Sequence, residues 1–267
     1  MSYAGRRVLV TGCASGIGAA VVGQLTELGA NVVGLDIRPP EGGIDEFHHV
    51  DLSDPASIDA AVAGIGGEVD SLFNVAGVSS GIGDSVLVVK INFLGTRHLT
   101  EALSPRMPFG SSIVSVSSLA ASGYAENMQE VAGLLNTRTF AEGVDWCHDH
   151  ADAHADGGYR LAKEAIVLYA MRSAVPLGSR GIRINCTGPG VTETPILDQL
   201  RTRYGQEYLD GIPKPLGRVS NPAEQAAALV FLNSRGAGYV TGQVLWVDGG
   251  NLASRVAAVL EASSWPA

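Results

Sequence analysis

The residues best suited to proton transfer are Tyr159 and Lys163, which stand four positions apart in the segment YRLAK. Residues at positions i and i+4 lie on the same face of an α-helix. A tyrosine with its ordinary pKa of about 10 is a poor base at neutral pH, but a neighbouring ammonium group favours the phenolate and lowers that pKa. The spacing therefore predicts a proton-transfer pair, although such a pair taken alone is more typical of a solvated helix surface.

Two further polar side chains can assist this pair. Ser118 follows a predicted strand at 112–116, where its hydroxyl can hydrogen-bond the oxygen of a substrate. Asn92 lies in a predicted helix at 85–103 and can hold a water molecule or the helix that carries the proton relay.

A glycine-rich segment, TGCASGIG, joins a predicted strand at 7–11 to a predicted helix at 16–28. Glycines at this point permit a tight turn and a close approach to a pyrophosphate, and the helix N-terminus offers free N–H groups to phosphate. Ordinary strand–helix turns also use glycine, so the surrounding strand and helix carry the prediction. Within it, we expect Cys13 to be a small packing residue rather than a redox thiol. The residues predicted to bind the dinucleotide here are Gly12, Cys13, Ser15, Gly16, Ile17 and Gly18.

The ends of the next strands add groups for the rest of a dinucleotide. Asp36 ends the second predicted strand 18 residues after Gly18, near the position of an acid that binds the adenosine ribose. A carboxylate would repel a 2′-phosphate, which favours NAD, whereas Arg38 keeps NADP as the alternative. Asp51 suits the adenine amino group and Gly77 a close backbone approach. The other candidates at these strand ends are Ile37, Leu52, Asn74 and Ala76.

Strand patterns alternate with helix patterns along the chain, which predicts an α/β fold with a doubly wound parallel sheet in a single domain, residues 1–267. The predicted strands lie at 7–11, 31–36, 47–51, 69–75, 112–116, 182–186 and 244–248, and the predicted helices at 16–28, 53–62, 85–103, 159–174 and 222–232. Residues 119–158 are irregular. Residues 189–220 are predicted to be a long loop over the site.

Composition limits the classes of partner. The net charge is −9 and the sequence pI is about 5.1, which disfavours nucleic acid and anionic membranes. Three widely spaced cysteines indicate free thiols in a reducing compartment, and no leader or membrane span is expected, so the predicted location is the cytoplasm.

Taken together, these residues resemble the classical short-chain dehydrogenase/reductase family over about residues 6 to 250. The resemblance rests on TGCASGIG, the DL at 51–52, the NVAG at 74–77, Asn92, Ser118, the Tyr159–Lys163 pair and the PG at 189–190. It implies hydride transfer between nicotinamide and a carbinol carbon, with Ser118 steadying the substrate oxygen, Tyr159 as acid/base, Lys163 also binding ribose and Asn92 supporting the relay. It also implies a nicotinamide-carboxamide loop formed by Pro189, Gly190, Val191, Thr192 and Thr194.

The sequence departs from the family pattern in two places. Val75 replaces the usual second asparagine of NNAG, and 41 residues separate Ser118 from Tyr159, far more than in most members. With GCASGIGAA, LDIR, TGPGVTETPIL and the RYG at 203–205, this spacing is similar to bacterial 3α-hydroxysteroid dehydrogenase/carbonyl reductases and coniferyl-alcohol dehydrogenases. These relatives imply a hydrophobic alcohol or ketone as substrate, either steroid or aromatic.

The insertion at about 119–158 is expected to change the subunit interface, which favours a homodimer over the tetramer common in the family. It contains CHDHADAH, in which His150 and His154 have a spacing that can bind zinc on a helix. A solvated polar face is the favoured interpretation, and no metal is predicted. Two other functions stay open: a catalytically silent dinucleotide-binding regulator, and a reductase of carrier-bound acyl chains, which would need a basic docking patch.

Overall fold

Seven parallel strands form one sheet in the computed structural model, which describes residues 1–262. The strands are β1 (Arg7–Thr11), β2 (Asn31–Asp36), β3 (Glu46–His49), β4 (Ser71–Asn74), β5 (Ser112–Val116), β6 (Arg183–Pro189) and β7 (Val244–Val247). Their order in the sheet is β3-β2-β1-β4-β5-β6-β7. The predicted doubly wound α/β fold is therefore confirmed.

Helices cover both faces of this sheet. They are α1 (Gly16–Glu27), α2 (Pro55–Gly64), α3 (Ser85–Val89), α4 (Thr96–Leu103), α5 (Met128–Leu135), α6 (Phe140–Asp149), α7 (Tyr159–Gly178), α8 (Pro195–Tyr204), α9 (Gln206–Asp210), α10 (Pro222–Asn233) and α11 (Asn251–Ala262). The predicted helix at 85–103 is continuous in space, but a π-helical segment, Lys90–Gly95, joins α3 to α4. Such segments displace side chains from the regular helical positions.

The alternation of side chains along the strands divides the core in two. Val8 and Val10 of β1 belong to the core under α1 and α10, whereas Leu9 belongs to the core under α2, α4 and α7. Successive residues of a strand face opposite sides of a sheet, and both sides of a parallel sheet are covered by helices. This is why the strands have continuous apolar runs such as the VLV of β1.

The strand order reverses between β1 and β4, and this reversal creates the crevice where open α/β sheets bind ligands. From β1 the chain continues outward through β2 and β3, and then returns to β4 on the other side of β1. The turns that follow β1 and β4 therefore leave the sheet side by side.

The irregular stretch at 119–158 contains α5 and α6. Arg97 of α4 is almost fully buried and fixes the connection between these two helices. Its guanidinium donates to the backbone carbonyls of Thr137, at 2.9 Å, and Thr139, at 3.0 Å. The insertion is thus packed onto the body of the molecule.

The prediction of a long loop at 189–220 is wrong in part, because this stretch contains α8 and α9. Pro195 occupies the first turn of α8, where its missing N–H group costs nothing, and Gly205 ends that helix with a φ of +83°. The prolines that suggested a loop therefore mark the beginning and surroundings of helices.

Among residues 1–262, no helix combines the length and the apolar character that crossing a lipid bilayer requires.

Candidate active site

A cavity of about 940 Å³ runs along the carboxyl edge of the sheet and joins the two halves of the predicted site. At one end it is lined by Gly12, Asp36 and Asp51, and at the other by Ser118 and Tyr159. Residues that are more than a hundred positions apart in the sequence thus share one space. The other predicted site residues that line it are Ser15, Gly16, Ile17, Gly18, Ile37, Leu52, Ala76, Gly77, Pro189, Gly190, Val191, Thr192 and Thr194.

Two glycines make the turn after β1 narrow enough to serve as a phosphate cradle. A Cβ atom on Gly12, whose φ is +71°, would lie 2.8 Å from Cα of Ala76 in the turn after β4. A Cβ atom on Gly18 would collide with the carbonyl oxygen of Gly12. A side chain at Gly12 would push apart the turns after β1 and β4, and a side chain at Gly18 would push α1 away from the end of β1.

The first turn of α1 offers free donors to this cradle. Ser15 is the N-cap residue of α1, but its side chain makes no capping hydrogen bond among residues 1–262, and the first turn has no acidic residue. The free backbone N–H groups of this turn form the positive end of the helix dipole, and they are available to a ligand in the cavity. The site therefore fits a pyrophosphate.

Asp36 lies where β2 enters the cavity. Its Oδ2 accepts from the backbone N–H of Ala14, at 3.0 Å, and its Oδ1 from that of Arg38, at 3.2 Å. The carboxylate is thus held against the glycine-rich turn, where it can accept ribose hydroxyl groups. The neighbouring Ile37 is 58% exposed along the cavity wall.

Asp51 is also fixed at this end of the cavity, because its Oδ1 accepts from the backbone N–H of Ser53 at 2.8 Å and from the hydroxyl of Ser53 at 2.7 Å. Two other predicted residues lie behind the wall instead. The side chain of Asn74 is buried and donates to Thr100 and Ser115, and Cys13 is buried against Gly34. Their side chains support the cavity wall without lining it.

Tyr159 begins α7, and its hydroxyl lies close enough to that of Ser118 for hydrogen bonding between them to affect its pKa. Burial raises the pKa of Tyr159, and the hydrogen bond with Ser118 opposes that rise. The expectation that Lys163 lowers this pKa is not met in the structure. The ammonium lies 5.6 Å from the centre of the tyrosine ring, and desolvation of the phenolate has the larger effect.

Lys163 is buried behind Tyr159 rather than exposed in the cavity. Its Nζ donates to the backbone carbonyl of Val116 at 2.8 Å, and burial lowers its pKa to about 8, an effect that nearby Cys186 opposes. Because this pKa is only slightly above neutral pH, Lys163 is mainly charged at pH 7 and loses its proton after a small rise in pH.

Asn92 occupies the π-helical segment and is bonded through both ends of its amide to one residue. Its Oδ1 accepts from the N–H of Val78 at 2.8 Å, and its Nδ2 donates to the carbonyl of Val78 at 2.9 Å. A Cβ atom on Gly77 would lie 2.9 Å from that Oδ1. Asn92 thus fixes the turn after β4 beside Lys163.

The loop after β6 is fixed by its own hydroxyl groups. Oγ1 of Thr192 lies 2.8 Å from Oγ of Ser220, and Thr194 donates to the carbonyl of Thr192 at 3.2 Å. A Cβ atom on Gly190 would lie 2.8 Å from Cα of Asp248. These contacts fix the backbone of the loop along the cavity as far as the beginning of α8.

The far half of the cavity is largely apolar, and most of its residues lie in the 189–220 segment, which the sequence predicted to lie over the site without identifying single side chains. Leu87 and Ile91 come from α3 and the π-helical segment, and most of the others come from α8 and α9. Arg255 of α11 also reaches the cavity and donates to Oγ of Ser122 at 3.2 Å. Leu87 and Ile91 stand four positions apart, and this helical spacing could have identified them from the sequence. The residues added by the structure are Ser80, Leu87, Ile91, Asp156, Arg160, Ile196, Leu197, Gln199, Leu200, Tyr204, Tyr208, Leu209, Ile212 and Arg255.

The two histidines with zinc-like spacing do not share a helix. α6 ends at Asp149, and His150 follows it and stacks on Trp146, with ring centres 4.4 Å apart. His154 is buried between the hydroxyl of Ser85 and the carbonyl of Cys147, each at 2.8 Å. The predicted solvated face is therefore wrong for His154, and no group of three or more metal-ligating side chains occurs within residues 1–262.

The fold and this cavity define a class of protein, and comparison with known sequences agrees. The family described as "short chain dehydrogenase" matches residues 6–130, and the one described as "Enoyl-(Acyl carrier protein) reductase" matches residues 148–251. Full-length relatives at 30% identity or more extend the match over nearly the whole chain. The chain belongs to the short-chain dehydrogenase/reductase family.

Among its relatives, coniferyl-alcohol dehydrogenase of Pseudomonas sp. (strain HR199 / DSM 7063) is 34% identical over 94% of this chain and 98% of that protein. The 3-alpha-hydroxysteroid dehydrogenase/carbonyl reductase of Comamonas testosteroni is 30% identical over 91% and 95%. A crystal structure of the 3-alpha-hydroxysteroid dehydrogenase from Pseudomonas sp. B-0831 complexed with NADH has a TM-score of 0.79 and 33% identity, and covers 97% of this chain and 100% of that one.

The protein is therefore an oxidoreductase that acts on alcohols or carbonyl compounds with a nicotinamide dinucleotide.

Proposed function

We propose that this oxidoreductase uses NAD to interconvert a hydrophobic secondary or aromatic alcohol and its carbonyl compound. The observation that carries the proposal is the shared cavity: it contains the carboxylate of Asp36 at its nucleotide end, the hydroxyl groups of Ser118 and Tyr159 in its middle, and an apolar wall beyond them. An enclosed apolar wall binds apolar substrate groups, and the few polar groups fix their orientation.

The preference for NAD rests on Asp36. Its carboxylate is held by the N–H groups of Ala14 and Arg38, so it cannot turn away easily from the ribose position. A 2′-phosphate placed there would meet a like charge, which costs several kcal/mol when it is not compensated. The guanidinium of Arg38 lines the same cavity and is the group that could compensate.

The chemistry is divided among three side chains. A bound nicotinamide supplies the hydride or accepts it. Because burial raises its pKa, the phenol of Tyr159 is protonated at neutral pH and can give its proton to a carbonyl oxygen during reduction. Ser118 orients the same oxygen by a hydrogen bond and favours the phenolate that remains, while the buried ammonium of Lys163 lies 5.6 Å from the centre of the Tyr159 ring. Alcohol oxidation reverses these steps.

The apolar wall supports the proposed substrate class. Leucine and isoleucine side chains from α8 and α9 line the far half, with two tyrosines among them. Steroids and aromatic alcohols are rigid apolar molecules that fit such a surface, and these are the compounds in the names of the two relatives described above. We favour the 3α-hydroxysteroid dehydrogenase/carbonyl reductase type. Coniferyl-type alcohols are the alternative substrate.

A catalytically silent dinucleotide-binding regulator is the second candidate function, because the glycine cradle alone would serve it. The hydrogen bond between Ser118 and Tyr159 favours an enzyme, since a regulator has no need of it. We also propose that the protein is cytoplasmic and forms a homodimer.

The test is oxidation of NADH and of NADPH, followed by absorbance, with a panel of keto-steroids, aromatic aldehydes and quinones. The control is Tyr159→Phe, which removes only the hydroxyl group. We expect turnover with NADH on at least one compound and its loss in the variant, with NADH binding retained. NADH binding without turnover on the whole panel would favour the regulator, and turnover retained in Tyr159→Phe would contradict the mechanism.

A further inference from the structure

Arg160, the residue after Tyr159, joins the catalytic helix to the insertion. Its guanidinium donates to Oδ2 of Asp156 at 2.9 Å, to Oε2 of Glu164 at 2.8 Å and to Oε1 of Glu130 at 3.1 Å. Glu164 lies one turn further along α7, Asp156 lies just before α7, and Glu130 belongs to α5 in the insertion. We call these four residues the Arg160 clamp.

The clamp is anchored on a buried carboxylate. The side chain of Glu164 is 0% exposed, and burial raises its pKa. Its second oxygen accepts from Nδ2 of Asn127, which precedes α5, at 2.7 Å. A buried carboxylate that loses its cation is strongly unfavourable, so Asn127 from the insertion and Arg160 from α7 together hold Glu164 in place.

The clamp lies where α7 needs external support. The N-cap residue of α7 is Gly158, whose φ is +75° and which has no side chain to cap the helix. Its own N–H donates to Oδ1 of Asp156, at 3.2 Å. Asp156 therefore accepts hydrogen bonds from both Gly158 and Arg160, the two residues that flank Tyr159.

We propose that Arg160 is a positioning residue: it holds the first turn of α7 against the insertion, and thereby holds the hydroxyl of Tyr159 at Ser118. This inference rests on the proposed function, in which Tyr159 transfers the proton. Arg160 and Asp156 also line the cavity, so the clamp forms part of the wall that the substrate meets. The insertion is then a component of the active site as well as a surface segment.

Only arginine has the geometry for this role. Its planar guanidinium has several donors in a fixed fork and reaches three carboxylates at once, whereas the ammonium of lysine is a point charge on a flexible stem. Arg160→Lys should therefore keep the charge and restore only part of the positioning.

The experiment compares Arg160→Ala and Arg160→Lys with the wild-type protein. The matched control is Arg172→Ala, which removes an exposed arginine from the same helix, 12 residues after Arg160. For each protein we would measure kcat, the KM of the carbonyl substrate and the dissociation constant of NADH, at a temperature where circular dichroism shows all four proteins folded. Hydrogen exchange of the 128–135 and 150–164 segments gives a readout that needs no turnover.

We expect kcat of Arg160→Ala to fall between about 10-fold and 100-fold, the effect of misplacing a catalytic group by roughly 1 Å. The dissociation constant of NADH should stay within about twofold of the wild-type value, because the nucleotide cradle is remote from the clamp. Arg160→Lys should lie between Arg160→Ala and the wild type. Hydrogen exchange should accelerate in both segments of Arg160→Ala and stay unchanged in Arg172→Ala.

A wild-type kcat in folded Arg160→Ala would overturn the proposal, because Arg160 would then contribute stability alone. Unchanged hydrogen exchange would also overturn it, as would an equal loss of kcat in Arg172→Ala. Failure of the proposed function is detected separately, by the absence of wild-type turnover on the whole panel or by turnover that survives in Tyr159→Phe.

Discussion

At the scale of single residues, burial decides the protonation of the site. The phenol of Tyr159 and the ammonium of Lys163 are both removed from water, which raises the pKa of the first and lowers that of the second to about 8. Both shifts favour the neutral forms. The hydrogen bond with Ser118 is the local interaction that favours the phenolate.

Ser118→Ala tests this balance through pH. The Ser118 hydroxyl accepts from the N–H of Ala120, and hydrogen bonding between Ser118 and the phenol oxygen favours the phenolate of Tyr159. Since that bond lowers the pKa of Tyr159, its removal raises the pKa. Alcohol oxidation needs the phenolate, so the rising limb of kcat against pH should move to higher pH in the variant.

The control for this profile is Ser122→Ala, the same change on the same loop, which removes the acceptor of Arg255. Its pH midpoint should equal the wild-type midpoint. A midpoint in Ser118→Ala that stays in place or moves to lower pH would contradict the role assigned to the hydrogen bond.

Asp36→Asn tests the choice of cofactor at the same scale. Asparagine keeps the shape and can still accept from the N–H of Ala14, but it removes the charge that a 2′-phosphate would meet. We expect the ratio of kcat/KM for NADPH to that for NADH to rise about tenfold or more, which corresponds to at least roughly 1.4 kcal/mol.

Steady-state kinetics with both nucleotides measure this ratio. Glu41→Gln removes the same charge from an exposed position a few residues away, and it should leave the ratio unchanged. An equal response of both variants would mean that Asp36 acts only through net charge.

At the scale of elements, the insertion is held by two polar anchors. The Arg160 clamp ties α5 to α7, and Arg97 ties the connection between α5 and α6 to α4. Both anchors use arginine, whose several donors can satisfy acceptors from different parts of the chain at once. The insertion therefore packs on the catalytic helix instead of extending into solvent.

Arg97→Met should lower the free energy of unfolding by about 3 kcal/mol. Methionine retains much of the apolar packing against Phe93, but the carbonyls of Thr137 and Thr139 lose their charged donor. Urea unfolding followed by circular dichroism measures the change. The exposed Arg172, changed to Met, is the control and should alter the stability by less than about 0.5 kcal/mol.

On the substrate side of the cavity, α8 is held by a different pair of contacts. Oε1 of Gln199 in α8 accepts from the hydroxyl of Ser79, at 2.8 Å, and the hydroxyl of Tyr204 lies 3.0 Å from that of Ser80. These contacts fasten α8 to the segment after β4.

At the scale of the whole molecule, α5 and α6 cover part of the surface that α4 and α7 would otherwise present. An assembly that used this surface has to accommodate the insertion, and on this ground we expect a dimer rather than a tetramer. Light scattering coupled to gel filtration gives the mass directly. Twice the chain mass of 27.6 kDa would support the proposal, and a tetramer would refute it.

Local patterns in the sequence were enough for the sheet and for the two ends of the site. β1, β2 and β5 match their predicted bounds, because buried strands and glycine turns are encoded by adjacent residues. The bounds of α8 and α9 could not be predicted from the prolines of this segment, because proline is common both in loops and in the first turn of a helix.

The sequence by itself therefore determined the fold class, the glycine cradle, Asp36 and the Tyr159–Lys163 pair, since each depends on short spacing within one strand–turn–helix unit or one helix. The tertiary structure alone decided which of these side chains face the cavity. It buried Asn74 behind the wall, raised the pKa of Tyr159 and brought Glu130 to Arg160. Desolvation and contacts between remote residues arise only when the chain is packed, and no pattern of neighbouring residues encodes them.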